Sequence, residues 1–212
     1  MAKIKHTKNE LKAQREALAR FQRFLPMLQL KKQQLQAEIQ SIDSKIAEKD
    51  QHLAAIQENV QKWIRLFSDP LADTGGIASS LSIGQILVQE GNIAGVNIPV
   101  LGKIQMRRSL PDLHTSPAWL DDALDAVEQM ASIRIERNIL LKQRDLISEE
   151  LRVTSQRVNL FEKVKIPESR ENIRVIKIFL GDEQTASVVR GKIAKSRTLA
   201  AEDAALAAGR TD

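Results

Sequence analysis

The sequence predicts a mostly α protein: a long antiparallel two-helix left-handed coiled coil with a small central head containing a short β-hairpin. Three observations carry that reading. Apolar residues recur every seven positions from Leu11 to Phe67. A middle stretch, Ser68 to Pro117, holds six of the nine Gly and four of the six Pro. A second, broader apolar stripe at helical spacing follows it, out to about Arg197.

In the first segment, 1–67, Leu11, Leu18, Leu25, Ile39, Ile46, Leu53, Val60 and Phe67 occupy one heptad position, interrupted by Lys32. Phe21, Leu28, Leu35, Ile42, Ile56 and Trp63 stand three residues after members of that row. A period of 3.5 keeps this seam against a partner helix only if the pair supercoils left-handedly, and about 57 residues at roughly 1.5 Å each make a rod of order 85 Å. Such a seam predicts a mechanical or scaffolding role. Lys32 and Lys49 fall in the seam, where a polar residue fixes register or snorkels to water. The run Lys31, Lys32, Gln33 and Gln34 reads as a solvated face. Pro26 inside the repeat deletes one backbone hydrogen bond and bends the helix.

The head, 68–117, is where the helix stops. Ile83–Glu90 and Ile93–Val100 are β-branched, apolar stretches separated by Glu90, Gly91 and Asn92, the spacing of a short hairpin. Gly95 and Pro99 argue against a central sheet strand. The second long helix, 118–197, starts at a cap formed by Ser116 and Pro117, with Asp121 and Asp122 in the turn where the helix dipole favours acids. Its stripe is Ile133, Leu140, Ile147 and Phe161, flanked by Ile139, Leu146, Val153 and Leu160. Two helices of matching length joined by a head fold back on each other. If Phe67 faces Trp119, position 26 lies opposite about position 160, near Pro167, so that Pro26 and Pro167 mark a shared bend of the rod. The Ala-rich tail, 198–212, has few apolar anchors and is expected to fray.

Composition limits the chemistry. An aromatic fraction of 3%, with no Tyr, is low for a thick globular core but suits a Leu/Ile/Val seam. Without Cys there is neither a disulfide framework nor a thiolate metal site. The basic start, Met1 to Lys8, precedes no apolar signal core, and no apolar run approaches the roughly 18 residues that span a bilayer. The chain is therefore read as soluble or peripheral to a membrane, with no direct membrane insertion. The net charge is +5, with the excess near the two ends: residues 1–35 hold nine Lys/Arg against two acids, and residues 163–197 nine against four. The stretch around Gly102 and Lys103 lacks the first Gly and the hydroxyl residue of a phosphate loop. His6, His52 and His114 lie apart without a second metal ligand at suitable spacing, and no carboxylate pair has a pocket to perturb it. No catalytic residue, cofactor or metal site is assigned. The basic tip lacks aromatic stacking residues and any known DNA-binding pattern, so nucleic acid is not an expected partner.

The segment Arg157-Val158-Asn159, Glu162 and Ile166-Pro167 resembles the signature of the D subunits of the V-type and archaeal-type rotary ATPases. Asn172 to Ile176 and Arg190 to Lys195 continue the pattern. Asn92 to Pro99 is similar to the family's hairpin, and Thr7, Lys8, Leu11, Leu28, Lys31, Lys32 and Leu35 match its first helix in spacing. Phe21, Phe24 and Pro26 stand where the family usually carries a small residue and Gly, and Gln29 and Gln33 where Lys and Asp are common. The resemblance implies a non-catalytic rotor shaft in the central stalk, coupling ATP hydrolysis or synthesis to ion translocation. The implied partners are the A and B subunits of the catalytic ring, the small F subunit of the stalk, and the connector to the membrane ring. The implied location is cytoplasmic, peripheral to the membrane. Ring contacts are implied for Lys31, Lys32, Arg157, Asn159, Glu162, Arg190, Lys192 and Lys195, and head contacts for Asn92, Gly95 and Pro99. The competing class is a coiled-coil adaptor or stalk protein of a secretion or flagellar export apparatus. A β-bearing head favours the rotor, and a plain tight turn the adaptor.

Overall fold

The computed structural model describes residues 4–62, 80–109 and 119–208. In chain order these form α1 (Lys8–Gln61), β1 (Leu81–Ile93), β2 (Val96–Arg108), α2 (Leu120–Leu160), a π-helical segment (Phe161–Lys165) and α3 (Ile166–Ala208). The chain divides into two compact units, one of residues 30–155 and one of residues 1–29 with 156–212. Trp63, Phe67, His114, Ser116 and Pro117, on which parts of the sequence reading rest, lie outside the described residues.

α1 begins on a threonine N-cap. The Thr7 carbonyl accepts the Leu11 N–H at 3.0 Å as the first helical bond, and its Oγ1 accepts the Glu10 N–H at 3.2 Å, a donor that no preceding turn can reach. From Leu11 to Val60 every seam position is buried or half-buried, Lys32 and Lys49 included. The 3.5-residue period is thus a contact pattern along the described helix.

In the unit of residues 30–155, α1 and α2 run antiparallel. Lys31 pairs with Glu150, Asp43 with Arg144, Lys49 with Glu136 and Asp50 with Arg137, so numbers rise on one helix as they fall on the other. The core joins Leu35, Ile42 and Ile46 of α1, Ile147 of α2 and Ile98 of β2, so the hairpin is docked by one deeply buried side chain. Gln143 of α2, itself buried, donates from Nε2 to the Pro99 carbonyl at 2.5 Å and ties β2 to the helix.

The hairpin is longer than the sequence predicts, with 13 residues in each strand, and its turn lies elsewhere. The reversal is at Ala94-Gly95, while Gly91 and Asn92 are ladder positions opposite Ile98 and Asn97. Ala94 and Gly95 both take positive φ, 51° and 82°, as a two-residue turn matched to strand twist requires. The usual Asn-Gly signal is absent because Ala94 also packs on the apolar core. Asn92 substitutes for it: its Oδ1 accepts the Gly95 N–H at 3.0 Å and its Nδ2 donates to Asn97 Oδ1 at 2.8 Å. At the other end of the hairpin Arg108 donates to Asp121 at 2.7 Å and to Asp125, closing β2 onto the first turn of α2. Hydrogen bonds to Asp125 first, then Asp121, hold its guanidinium above the usual arginine range.

The stripe expected on the second helix holds at its period-seven row, Ile133, Leu140, Ile147 and Phe161, all buried or half-buried, but two of its flanking residues need correction. Leu146 and Leu160 are 45% and 44% exposed, whereas Ile139, Gln143, Ile147, Thr154 and Val158 are buried. In the unit of residues 30–155 α2 faces both α1 and the hairpin, so its buried face there is broader than a single seam.

In the other unit the antiparallel sense is the same. His6 meets Phe179 with ring centroids 4.8 Å apart, Phe21 meets Phe161 at 5.1 Å, and Asn172 donates to Gln14. Between the last two contacts α1 advances from 14 to 21 while its partner spans 161 to 172, and the π segment takes up part of that surplus. Its cause is next in sequence: Pro167 has no N–H, and its ring crowds the carbonyl four residues back. The turn widens, with the Ile166 N–H reaching Phe161 O. By residue count the two prolines lie on opposite sides of the Phe21–Phe161 contact, about 16 Å apart along the pair. α1 passes Pro26 without interruption, so the irregularity accompanies Pro167 alone. α3 continues as helix beyond Arg197 to Ala208, and every residue from Gly181 to Glu202 is exposed.

Candidate interaction surfaces

The residues expected to act in contacts do not form one cluster. Lys31 Nζ lies 2.6 Å from Glu150 Oε1, and Lys32 is half-buried in the seam, so both contribute to the helix pair itself. Asn92, Gly95 and Pro99 build the hairpin turn and its tie to Gln143. Arg157, Asn159 and Glu162 are exposed. They point differently, because Arg157 and Asn159 bracket the buried Val158 and so project to opposite sides of the contact line.

Arg190, Lys192 and Lys195 stand on the fully exposed stretch of α3. Beside them Val188, Val189, Ile193 and Leu199 are 47–60% exposed. A helix that mixes cations with exposed apolar side chains gains little from folding alone and offers contact area to a partner. Sequence reading found these cations but missed a second group, Phe24, Met27, Leu160 and Val164, exposed by 44–60%. Their types were visible; their exposure depends on where the seam falls.

The described residues contain no group of three His, Cys, Asp or Glu able to hold a metal ion, and no helix long and apolar enough to cross a membrane. The recess where the hairpin meets the helices is lined by Lys45, Lys49, Val100, Glu136 and Gln143. Its charges are already joined, Lys49 to Glu136 at 2.6 Å. His52 is exposed, and His6 lies against Phe179 with the rings tilted.

Fold and surfaces together define the class: an antiparallel coiled coil that carries a docked β-hairpin and an exposed basic helix end. The chain matches the family of ATP synthase D subunits over residues 10–196. It is 46% identical to the V-type ATP synthase D subunit of Borreliella burgdorferi over 92% of this chain and 95% of that one. It is 35% identical to the protein of the same name from Chlamydia pneumoniae over 92% of both, and 32% identical to that from Chlamydia caviae over 92% of this chain and 94% of that one. The chain belongs to the family of ATP synthase D subunits.

Proposed function

We propose that this chain is the non-catalytic central rotor shaft of a V-type ATPase, coupling ATP hydrolysis or synthesis in a ring of A and B subunits to ion translocation. On this reading the exposed end of α3 contacts the ring, the hairpin-bearing part contacts the small F subunit of the stalk, with the connector to the membrane ring, and the complex holds the chain peripheral to the membrane on its cytoplasmic side. The observation that carries the reading is the stretch from Gly181 to Glu202, exposed throughout, cationic at Arg190, Lys192, Lys195 and Arg197 and apolar at Val188, Val189, Ile193 and Leu199. The docked hairpin, in place of a plain tight turn, and the family membership favour the rotor over an export-apparatus adaptor.

The physical requirement is unequal contact. A shaft biases a catalytic interface only by binding its conformational states with different free energies. The ion pairs between α1 and α2 and the Arg108 clamp hold the helix pair in register while load is applied, and Pro167 with its π segment is the place where bending costs least. The test is Arg190→Glu, Lys192→Glu and Lys195→Glu together in a complex reconstituted from A and B subunits. Loss of A/B capture and of coupled ATPase activity is expected. Capture and coupling equal to wild type would overturn the assignment.

A further inference from the structure

Around the Phe21–Phe161 contact, in the unit of residues 1–29 with 156–212, the two flanks of the helix pair differ in chemistry. An antiparallel pair has an approximate two-fold axis across it, so residues that immediately precede a seam residue fall on one flank on both helices, and residues that follow one fall on the other. The seam here runs through Phe21, Leu25 and Leu28 on one side and Val158, Phe161 and Lys165 on the other, all buried or half-buried. The preceding residues are Arg20, Phe24, Met27, Arg157, Leu160 and Val164. Four are apolar, with exposures of 48%, 60%, 44% and 47% for Phe24, Met27, Leu160 and Val164, and the two others are exposed arginines. Of the following residues, Gln22, Pro26, Gln29, Asn159 and Glu162 are also exposed and carry neither a cation nor a large aliphatic or aromatic side chain, and the sixth, Ile166, is buried.

We propose that the flank of Phe24, Met27, Leu160 and Val164, rimmed by Arg20 and Arg157, is the one-sided contact face of the shaft, and that it takes an acidic, apolar-tipped segment of a ring subunit. This rests on the shaft reading above and adds which side of the shaft bears on the ring. Folding does not require the asymmetry. Neither flank lies in the seam, so either could have been polar at no cost to the pair, and four exposed apolar side chains side by side mark a surface that is covered in use. The rim selects the partner: two guanidinium groups around an apolar centre favour carboxylates around an apolar tip, bound through bidentate pairs. A one-sided face is one way for a shaft to make unequal contact with the ring interfaces around it. The π segment contributes by widening the helix where Val164 projects.

The experiment measures the affinity of the full chain for the isolated ring of A and B subunits, together with ring ATPase activity. One variant carries Phe24→Gln, Met27→Gln, Leu160→Gln and Val164→Gln; a second carries Arg20→Glu and Arg157→Glu; a control carries Gln22→Ala and Gln29→Ala. All changed sites are solvent-exposed, and circular dichroism checks that each variant keeps wild-type helix content. The apolar and charge-reversal variants are expected to bind at least tenfold more weakly, the second with a reduced dependence on salt, and the control within twofold of wild type. Equal losses from both flanks would overturn one-sidedness. Wild-type binding by both flank variants, with the Arg190, Lys192 and Lys195 reversal still abolishing capture, would overturn the flank and leave the shaft reading intact. Wild-type binding by every variant, that reversal included, would overturn both.

Discussion

Replacing Ile98 by Ala tests how the hairpin is held. Ile98 is 3% exposed and packs among Leu35, Ile42, Ile46 and Ile147, while β1 is mostly exposed, so this side chain is the main apolar anchor of a two-stranded sheet. An isolated two-stranded hairpin is marginal in water, so its order depends on docking. The substitution removes three carbons from a closed site. At about 0.8 kcal/mol per methylene the transfer loss is about 2.4 kcal/mol, and the cavity left behind raises it to about 3–4 kcal/mol. If hairpin and helices unfold as one, this lowers Tm by roughly 6–16 °C at this chain length. If the hairpin opens by itself, Tm hardly moves and the loss appears in amide hydrogen exchange of Val96–Arg108, with α1 amides around Leu35 unchanged. Either result supports the docking argument. Wild-type exchange across β2 together with an unchanged Tm would refute it.

Gly95→Ala probes the turn alone: φ is 82° and a methyl group there meets nothing within 4 Å, so a cost of about 1–2 kcal/mol measured by chemical unfolding is backbone strain. A double-mutant cycle on Lys49 and Glu136, with ends 2.6 Å apart and side chains 31% exposed, is expected to give a coupling of about 0.5–1 kcal/mol; a coupling of zero would remove this pair from the account of register. Glu149 and Glu171 are held below the usual glutamate range, chiefly by hydrogen bonds from Arg152 and Arg174. A depressed carboxylate contributes stability above its unfolded pKa, about 4.3, and loses it as pH falls through the folded value. Thermal melts should therefore drop on acidification from about pH 6 to pH 3, and Glu149→Gln with Glu171→Gln should flatten that slope.

Most of the fold was legible where an unbroken period runs along an element. The 3.5-residue repeat of α1 could be read as contact, and the described helix buries that line from Leu11 to Val60, with Leu35, Ile42 and Ile46 meeting the hairpin as well as α2. The hairpin announced itself by Gly, Pro and β-branched residues, but not its turn, because Ala94 obeys two constraints, a left-handed backbone and a place for its methyl group on the core. On α2 the main row was read correctly and the flanking Leu146 and Leu160 were not. The helix buries the polar Gln143 and Thr154 and leaves those two leucines outside, which hydrophobicity alone does not reveal. Of the surface residues, Arg190, Lys192 and Lys195 were found through a family pattern. Phe24, Met27, Leu160 and Val164 acquire meaning only when the seams of two distant segments are superposed.

Whether that flank matters is a question of magnitude. Four apolar side chains, each about half exposed, leave on the order of 300 Å² that a partner could cover, a gross gain of about 7 kcal/mol at 25 cal/mol per Å². Much of this is offset by lost freedom and imperfectly matched polar groups. The offset is nearly the same whichever flank meets the ring, whereas the gain is not, since Gln22, Gln29, Asn159 and Glu162 present polar surface instead. The difference between orientations therefore survives the subtraction, and a few kcal/mol is several times thermal energy. A shaft whose folding leaves both flanks free, and whose sequence around the Phe21–Phe161 contact fills only one with large apolar and cationic groups, has a preferred direction to bear on there.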